Sequence, residues 1–311
     1  MSEPAREPSE PAERRAAGVI HDLGYARYTG ARRPMSTRWR AIARHHLTTA
    51  WQTWWRYRAA LAIAAMVTVA FGGMMYFLAD SSMFRGFRSV GALPLTIADG
   101  ALPASIQWYR RSAFVFTLTM TAGAIAGDRQ SGAFSLYVAR STRPIDYILG
   151  KLAATLALTA PLALLCPLVL ATLRLGLFDD NEQLVAHLVI LPKIPAIGAL
   201  STLAYSIVPL GVSALFATRR QALQVWCAYW LVATSILALL GAMTSGWIAA
   251  FDLPSALDSI TNQLFHLYLP KRLQMSLTVA VASVLGHVLV ALALFVAVVR
   301  RQHRAGIRGH S

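Results

Sequence analysis

Residues 128–151 read DRQSGAFSLYVARSTRPIDYILGK. This polar, basic stretch lies between two long apolar runs, and whether it is loop or core decides the fold. Gly132 loosens the backbone near its start. Ala133, Phe134, Leu136, Tyr137 and Val138 pattern as a short amphipathic helix. Ser141 or Thr142 can cap the helix that follows. Pro144 suits its first turn, and Asp146 complements the helix dipole there. Gly150-Lys151 then returns the chain to an apolar run. A stretch this short, with its own start signals, reads as a loop between two membrane-spanning helices.

Apolar runs of about 20 residues, the length that crosses a bilayer core as helix, lie on both sides of it. Residues 59–78, 152–173, 225–248 and 276–299 are clear cases. Residues 194–217 join them once Pro195 and Pro209 are accepted inside a span. Residues 112–127 form a shorter sixth, bounded by Arg110-Arg111 and Asp128. Composition agrees, since only 14% of the chain is charged and 56% is hydrophobic, against about 25% charged in a soluble domain. The expected fold is all-α, a polytopic membrane protein with six transmembrane helices within residues 59–300. Residues 1–35 read as a polar cytoplasmic arm, disordered over 1–20. Residues 301–311 read as a cytoplasmic tail. Residues 1–16 lack the apolar core of a signal peptide, which leaves the first span as the insertion signal.

Charge distribution orients this bundle. With both termini inside, the inner segments hold 21 of the 29 Lys+Arg and 7 of the 14 Asp+Glu, a balance of +14 against +1 outside. Cytoplasmic loops carry the Lys/Arg excess, so both ends are expected in the cytoplasm. Nucleic-acid binding fits poorly, because the basic groups flank apolar spans and form no single face. Arginine outnumbers lysine 26 to 3, a bias that suits a GC-rich bacterial genome, hence a bacterial cytoplasmic membrane. Cys166 and Cys227 both fall in expected spans and read as small packing groups.

Residues 36–58 alternate differently. Trp39, Ile42, Leu47, Ala50, Trp51 and Trp54 recur near helical spacing, with Arg38, Arg40, Arg44 and Arg56 opposite. That pattern suits a cytoplasmic amphipathic helix lying at the lipid surface, with Trp39, Trp51, Trp54, Arg40 and Arg44 at the interface. His45-His46 lacks a nearby carboxylate or third ligand and reads as interfacial. On the outside, residues 80–109 mix apolar pieces with Gly and Pro. Residues 249–272 are too polar to span and too apolar to float, which suits a re-entrant segment of short helices. Arg110-Arg111 is read as a boundary marker at the outer mouth of the second span, in preference to an anion-attracting pair.

The loop resembles the intracellular loop of type-2 ABC-transporter permeases. In that family an acidic-basic pair ends the second helix, followed by a Gly-containing coupling helix, an Ala-Arg pair, an acidic-Tyr pair and a Gly-Lys pair. Asp128-Arg129, Gly132, Ala139-Arg140, Asp146-Tyr147 and Gly150-Lys151 resemble these. The helix at 36–58 resembles the family's connecting helix, and 249–272 its re-entrant turns. Ser141 stands where the family often has Pro, and Ser135 near a second Glu. The resemblance implies a permease subunit that exports a substrate and couples to a separate ATPase. The coupling residues would be Asp128, Arg129, Gly132, Phe134, Tyr137, Val138, Arg140 and Asp146. Two ATPase copies, a second permease copy as homodimer and membrane lipids are the implied partners, with an extracytoplasmic accessory protein as a further one.

No cofactor is expected in this chain, ATP and Mg being held by the ATPase. The only Gly-Lys pair, Gly150-Lys151, has Ile145 where a P-loop needs glycine. An intramembrane enzyme or an ion-coupled transporter would need ionisable groups at mid-span, and His287 is the lone central histidine. A mechanotransmitting scaffold that passes ATPase energy outward without transport is the alternative. Thr117, Thr121 and Tyr229 are the candidate pathway residues of the second and fifth spans, where an apolar path suits a lipid-like or amphipathic substrate. Trp226, Tyr229 and Trp230 share a face, and their closeness to Arg219-Arg220 favours an interfacial aromatic belt over substrate contact.

Overall fold

Five apolar helices long enough to cross a membrane dominate the computed structural model, spanning Arg56–Leu78, Pro144–Leu177, Ile190–Leu215, Arg219–Met243 and Leu277–Ala305. The model describes residues 35–53, 55–80, 94–134, 137, 143–178, 188–244 and 246–308, and among these every regular element is helical. The arm expected at 1–35 falls outside them except for Met35, as do Trp54, Val138 and Arg140. The described elements belong to one unit, Met35–Ser311.

In chain order, α1 covers Arg38–Gln52 and α2 Arg56–Asp80. Helix α3 (Pro94–Phe116) runs through a π-helical turn at Thr117–Thr121 to α4 (Ala124–Gln130). Helix α5 (Pro144–Ala160) continues through another such turn, Pro161–Leu165, into α6 (Cys166–Phe178). Helix α7 is Ile190–Leu215. Helix α8 (Arg219–Ala228) passes through a third π turn, Tyr229–Ala233, into α9 (Thr234–Met243). A 3₁₀ stretch, Gly246–Phe251, precedes α10 (Leu253–Leu264), and α11 runs Leu277–Arg308.

The segment expected to span at 112–127 is not one long apolar helix. Arg110 and Arg111 interrupt the apolar pattern of α3, and the helix loosens at Ala122-Gly123 before α4. The second apolar helix begins at Pro144, eight residues before the expected 152, because its first two turns are amphipathic. There Asp146, Tyr147, Ile148 and Lys151 are buried while Ile145 and Leu149 are exposed. Both Pro195 and Pro209 sit inside α7 without ending it.

Helix α7 is the hub. Of its most apolar window 72% is buried, against 11% for the α8–α9 helix. Small and polar side chains on α7, including Ser201, Ala204, Ser206 and Ser213, are buried and let neighbours pack closely. One apolar cluster fills most of the bundle, around Tyr109, Phe116, Tyr205 and Trp226. A second cluster gathers Ile42, Ile125, Tyr147, Leu210, Phe295 and Val299. It therefore joins α1, α4 and the start of α5 to the ends of α7 and α11.

Helix α10 is held firmly. Asp252 caps it by accepting the Ser255 N–H (2.9 Å) and also accepts the Thr234 hydroxyl (2.9 Å). Arg110 is buried and ion-paired to Asp258, with a further bond from Nη1 to Thr261 Oγ1 (2.9 Å). It is thus an internal tie between α3 and α10, not a boundary residue reaching the interface. Removing a guanidinium from water requires a paired carboxylate, and the sequence hid that partner 148 residues away. Arg111 lies 4.2 Å over the Trp108 ring.

Candidate functional site at the Asp128–Lys151 junction

Helix α5 starts at Pro144, whose fixed φ and missing N–H suit the first turn. Asp146 Oδ2 accepts the Arg143 N–H at 3.3 Å, so the acidic residue closes the helix start. One turn further, Tyr147 and Lys151 share a face four residues apart and meet Asp128 at the end of α4. Lys151 Nζ lies 2.8 Å from Asp128 Oδ2, and the Tyr147 hydroxyl donates to the same oxygen at 2.7 Å. A buried ammonium persists only with such a partner.

The three residues Asp128, Arg129 and Gln130 each reach a different neighbour. Asp128 holds α5. Arg129 Nη1 donates to the carbonyls of Ala214 (3.0 Å) and Phe216 (2.9 Å), which satisfies the open end of α7 with a positive charge. Gln130 Oε1 accepts the Arg219 N–H (3.2 Å) at the first residue of α8. Just before them, the Ile125 and Ala126 N–H groups donate to Ser213 Oγ of α7 at 3.0 and 3.1 Å. The head of the loop therefore ties α4 to α5, α7 and α8 at once.

Loop aromatics close over the joint. Tyr147 meets Phe134 (ring centroids 4.8 Å) and Tyr137 (5.4 Å) on one side and Phe295 of α11 (6.4 Å) on another. Burial, reinforced by the Asp128 charge, pushes the Tyr137 phenol above its ordinary pKa and keeps it neutral. Gly132 adopts φ +71°, a conformation that side chains other than glycine's disfavour, which lets the chain turn out of α4. Of the coupling residues inferred from the resemblance, the structure brings Asp128, Arg129, Phe134, Tyr137 and Asp146 around this joint.

Helix α1 docks on the same end. Its buried face is Ile42, Ala43, His46 and Ala50. An ideal Cβ on Gly150 would fall 2.7 Å from Ile42 Cβ and 2.8 Å from Trp39 O, so only glycine allows this approach. Trp39 is half-buried, Trp51 is 54% exposed, and Arg40 and Arg44 are exposed. The sequence pattern made His46, with His45, an interfacial polar residue. It is buried instead, and burial, with Lys151 and His45 adding, holds its pKa down to about 3. Its position four residues after Ile42 was the signal available.

The candidate pathway residues lie deeper. Thr117 is buried, donating to Phe114 O (2.9 Å) and accepting from Trp226 Nε1 (3.3 Å). Thr121 is fully buried. Tyr229 accepts the Leu253 N–H at 3.0 Å and so touches α10. The belt reading does not describe Trp226. Trp226 has no exposed surface and Tyr229 stacks on it (5.6 Å), because both polar tips find partners inside the bundle. All three candidates fall in π-helical turns, a form often found at functional positions in helices. His287 bonds within its own helix, to Ser283 O (2.8 Å).

Among the described residues no cluster of three His, Cys, Asp or Glu gathers to hold a metal. The arrangement holds an ion pair and joins α4, α5, α7 and α8 at one end. Comparisons with protein-family models and with curated proteins find no match for the chain.

Proposed function

We propose that this chain is the transmembrane permease subunit of an ATP-driven ABC transporter of the type-2 class, exporting a lipid-like or amphipathic substrate. The observation that carries the reading is the triple tie of Asp128, Arg129 and Gln130 to α5, α7 and α8. A push on residues 131–143 meets no slack at this joint, so three helices move with α4. That is what a chain without its own ATPase motif needs to receive work from a separate ATPase.

In this reading the segment α3–α4 is the second of six spans and α1 is the connecting helix on the cytoplasmic surface of a bacterial inner membrane. The second apolar cluster supports an even number of crossings, since it holds residues near both ends of the bundle's chain, Ile42 and Val299. The pairing of Arg110 with Asp258 supports burial of α3, because it removes the charge that bars a lone arginine from a span. The poorly buried faces of α2 and α8–α9, rich in Met66, Val69, Leu231 and Leu239, suit lipid and a second permease copy.

Co-purification tests the reading. Wild-type chain should retain the ATPase encoded beside its gene, and the Phe134→Asp, Val138→Asp double variant should lose it. Absence of any retained ATPase with the wild type would overturn the proposal.

A further inference from the structure

A cavity of about 260 Å³ opens beside the Asp128–Lys151 pair. Its lining includes Arg56, Lys151, Arg219, His45 and His46. Asp128 also lines it, but one of its oxygens is already taken by both Lys151 and Tyr147. Three cations against one carboxylate leave two positive charges in excess. Among the described residues no carboxylate lies within ion-pair distance of Arg56 or Arg219. Lys151 (5% exposed) and His46 (9%) are buried in the wall, whereas Arg219 and His45 are exposed. The buried His46 Nε2 has no hydrogen-bond partner. An unpartnered buried polar atom beside uncompensated cations marks a place built for an anion.

We infer that this cavity binds a phosphate-bearing anion, with Arg56 and Arg219 as the principal ligands and the neutral His46 ring donating its Nε2–H. Each guanidinium fork pairs with two anion oxygens, and a phosphate group offers more oxygens for two such forks than a carboxylate does. Gly123 lets the Arg219 side chain lie directly against the backbone at the start of α4, since an ideal Cβ there would fall 2.5 Å from Arg219 Cγ. The anion is either the headgroup of a membrane phospholipid or a free phosphate compound arriving from the aqueous side. The site follows from the membrane reading of the chain but needs no ATPase.

Purified full-length chain in a neutral detergent tests this. Native mass spectrometry counts retained phosphatidylglycerol against phosphatidylcholine, and calorimetry titrates inorganic phosphate. Wild type should bind one of the two anions. Arg56→Gln and Arg219→Gln should each weaken that binding at least tenfold, while Arg300→Gln at the same end leaves it unchanged. Thermal unfolding checks that each variant is folded, and Arg56→Gln carries the test if Arg219→Gln, which loses a bond to Thr119 O, is not. Binding of phosphatidylglycerol alone identifies a lipid site, and binding of inorganic phosphate a soluble ligand. Binding of neither, or equal binding by folded Arg56→Gln and wild type, overturns the inference. Because no ATPase is present, this result and the co-purification result fail separately.

Discussion

At the scale of single residues, the joint depends on one carboxylate serving two partners. Asp128→Asn leaves Lys151 buried without a counter-charge, which costs about 3 kcal/mol for an ion pair broken on one side. The purified variant should melt well below wild type. Adding Lys151→Met should recover much of the loss, since the apolar side chain removes the stranded charge. Equal melting of Asp128→Asn and wild type would show that the pair contributes nothing. His46 gives a second, pH-linked test. Its folded pKa of about 3 lies below the ordinary 6.5, so between those values the unfolded chain binds the extra proton. Stability from this group is therefore complete above pH 6.5 and declines as the pH falls towards 3, by about 2 kcal/mol at pH 5. The melting temperature of His46→Gln should vary less between pH 7 and pH 5 than that of wild type. Parallel pH profiles for the two proteins would refute the assignment.

At the scale of elements, glycine substitutions separate tight helix contacts from open ones. Gly150→Ala must push α1 away from α5, where Ile42 and the Trp39 carbonyl crowd the site, and should destabilise by about 1–3 kcal/mol. Gly286→Ala and Gly73→Ala meet nothing within 4 Å, so alanine's better helix propensity should leave stability level or raised. Thermal melts of the three variants check the contrast, and a neutral Gly150→Ala would mean that α1 is loosely seated. The sequence made much of this level legible. Apolar runs located five long helices, and Pro144 with Asp146 marked a helix start within the loop. What it hid were contacts between distant positions. Arg129 with Ala214, Gln130 with Arg219, and Arg110 with Asp258 are 85 or more residues apart, and no local period reports them. Amphipathic ends misled for a related reason, since a buried polar residue such as His46 or Lys151 looks like a solvent-facing one until its partner is known.

At the scale of the whole molecule, the question is which elements cross. Among the described residues five helices pass on length and apolarity alone, and five crossings would put α1 and residue 131 on opposite faces. The second apolar cluster opposes that outcome, because Ile42 of α1 packs with Ile125 of α4 and Tyr147 of α5 at one end of the bundle. A chain that leaves α1, passes through α2 and returns to the same end by way of α3–α4 has crossed twice. The charge of Arg110 is met internally by Asp258, Thr261 and the Leu257 carbonyl, which is compatible with a crossing at α3–α4 on the six-span reading. Single cysteines in a Cys166→Ser, Cys227→Ser background decide the matter. Ser36→Cys and Ser131→Cys are exposed positions at the α1 end, and Tyr268→Cys is 83% exposed beyond α10. A membrane-impermeant maleimide on intact cells should label Tyr268→Cys only, and inverted vesicles should reverse the pattern. Labelling of Ser36→Cys and Ser131→Cys from opposite faces would refute the six-span reading and place the loop on the opposite side of the membrane from α1.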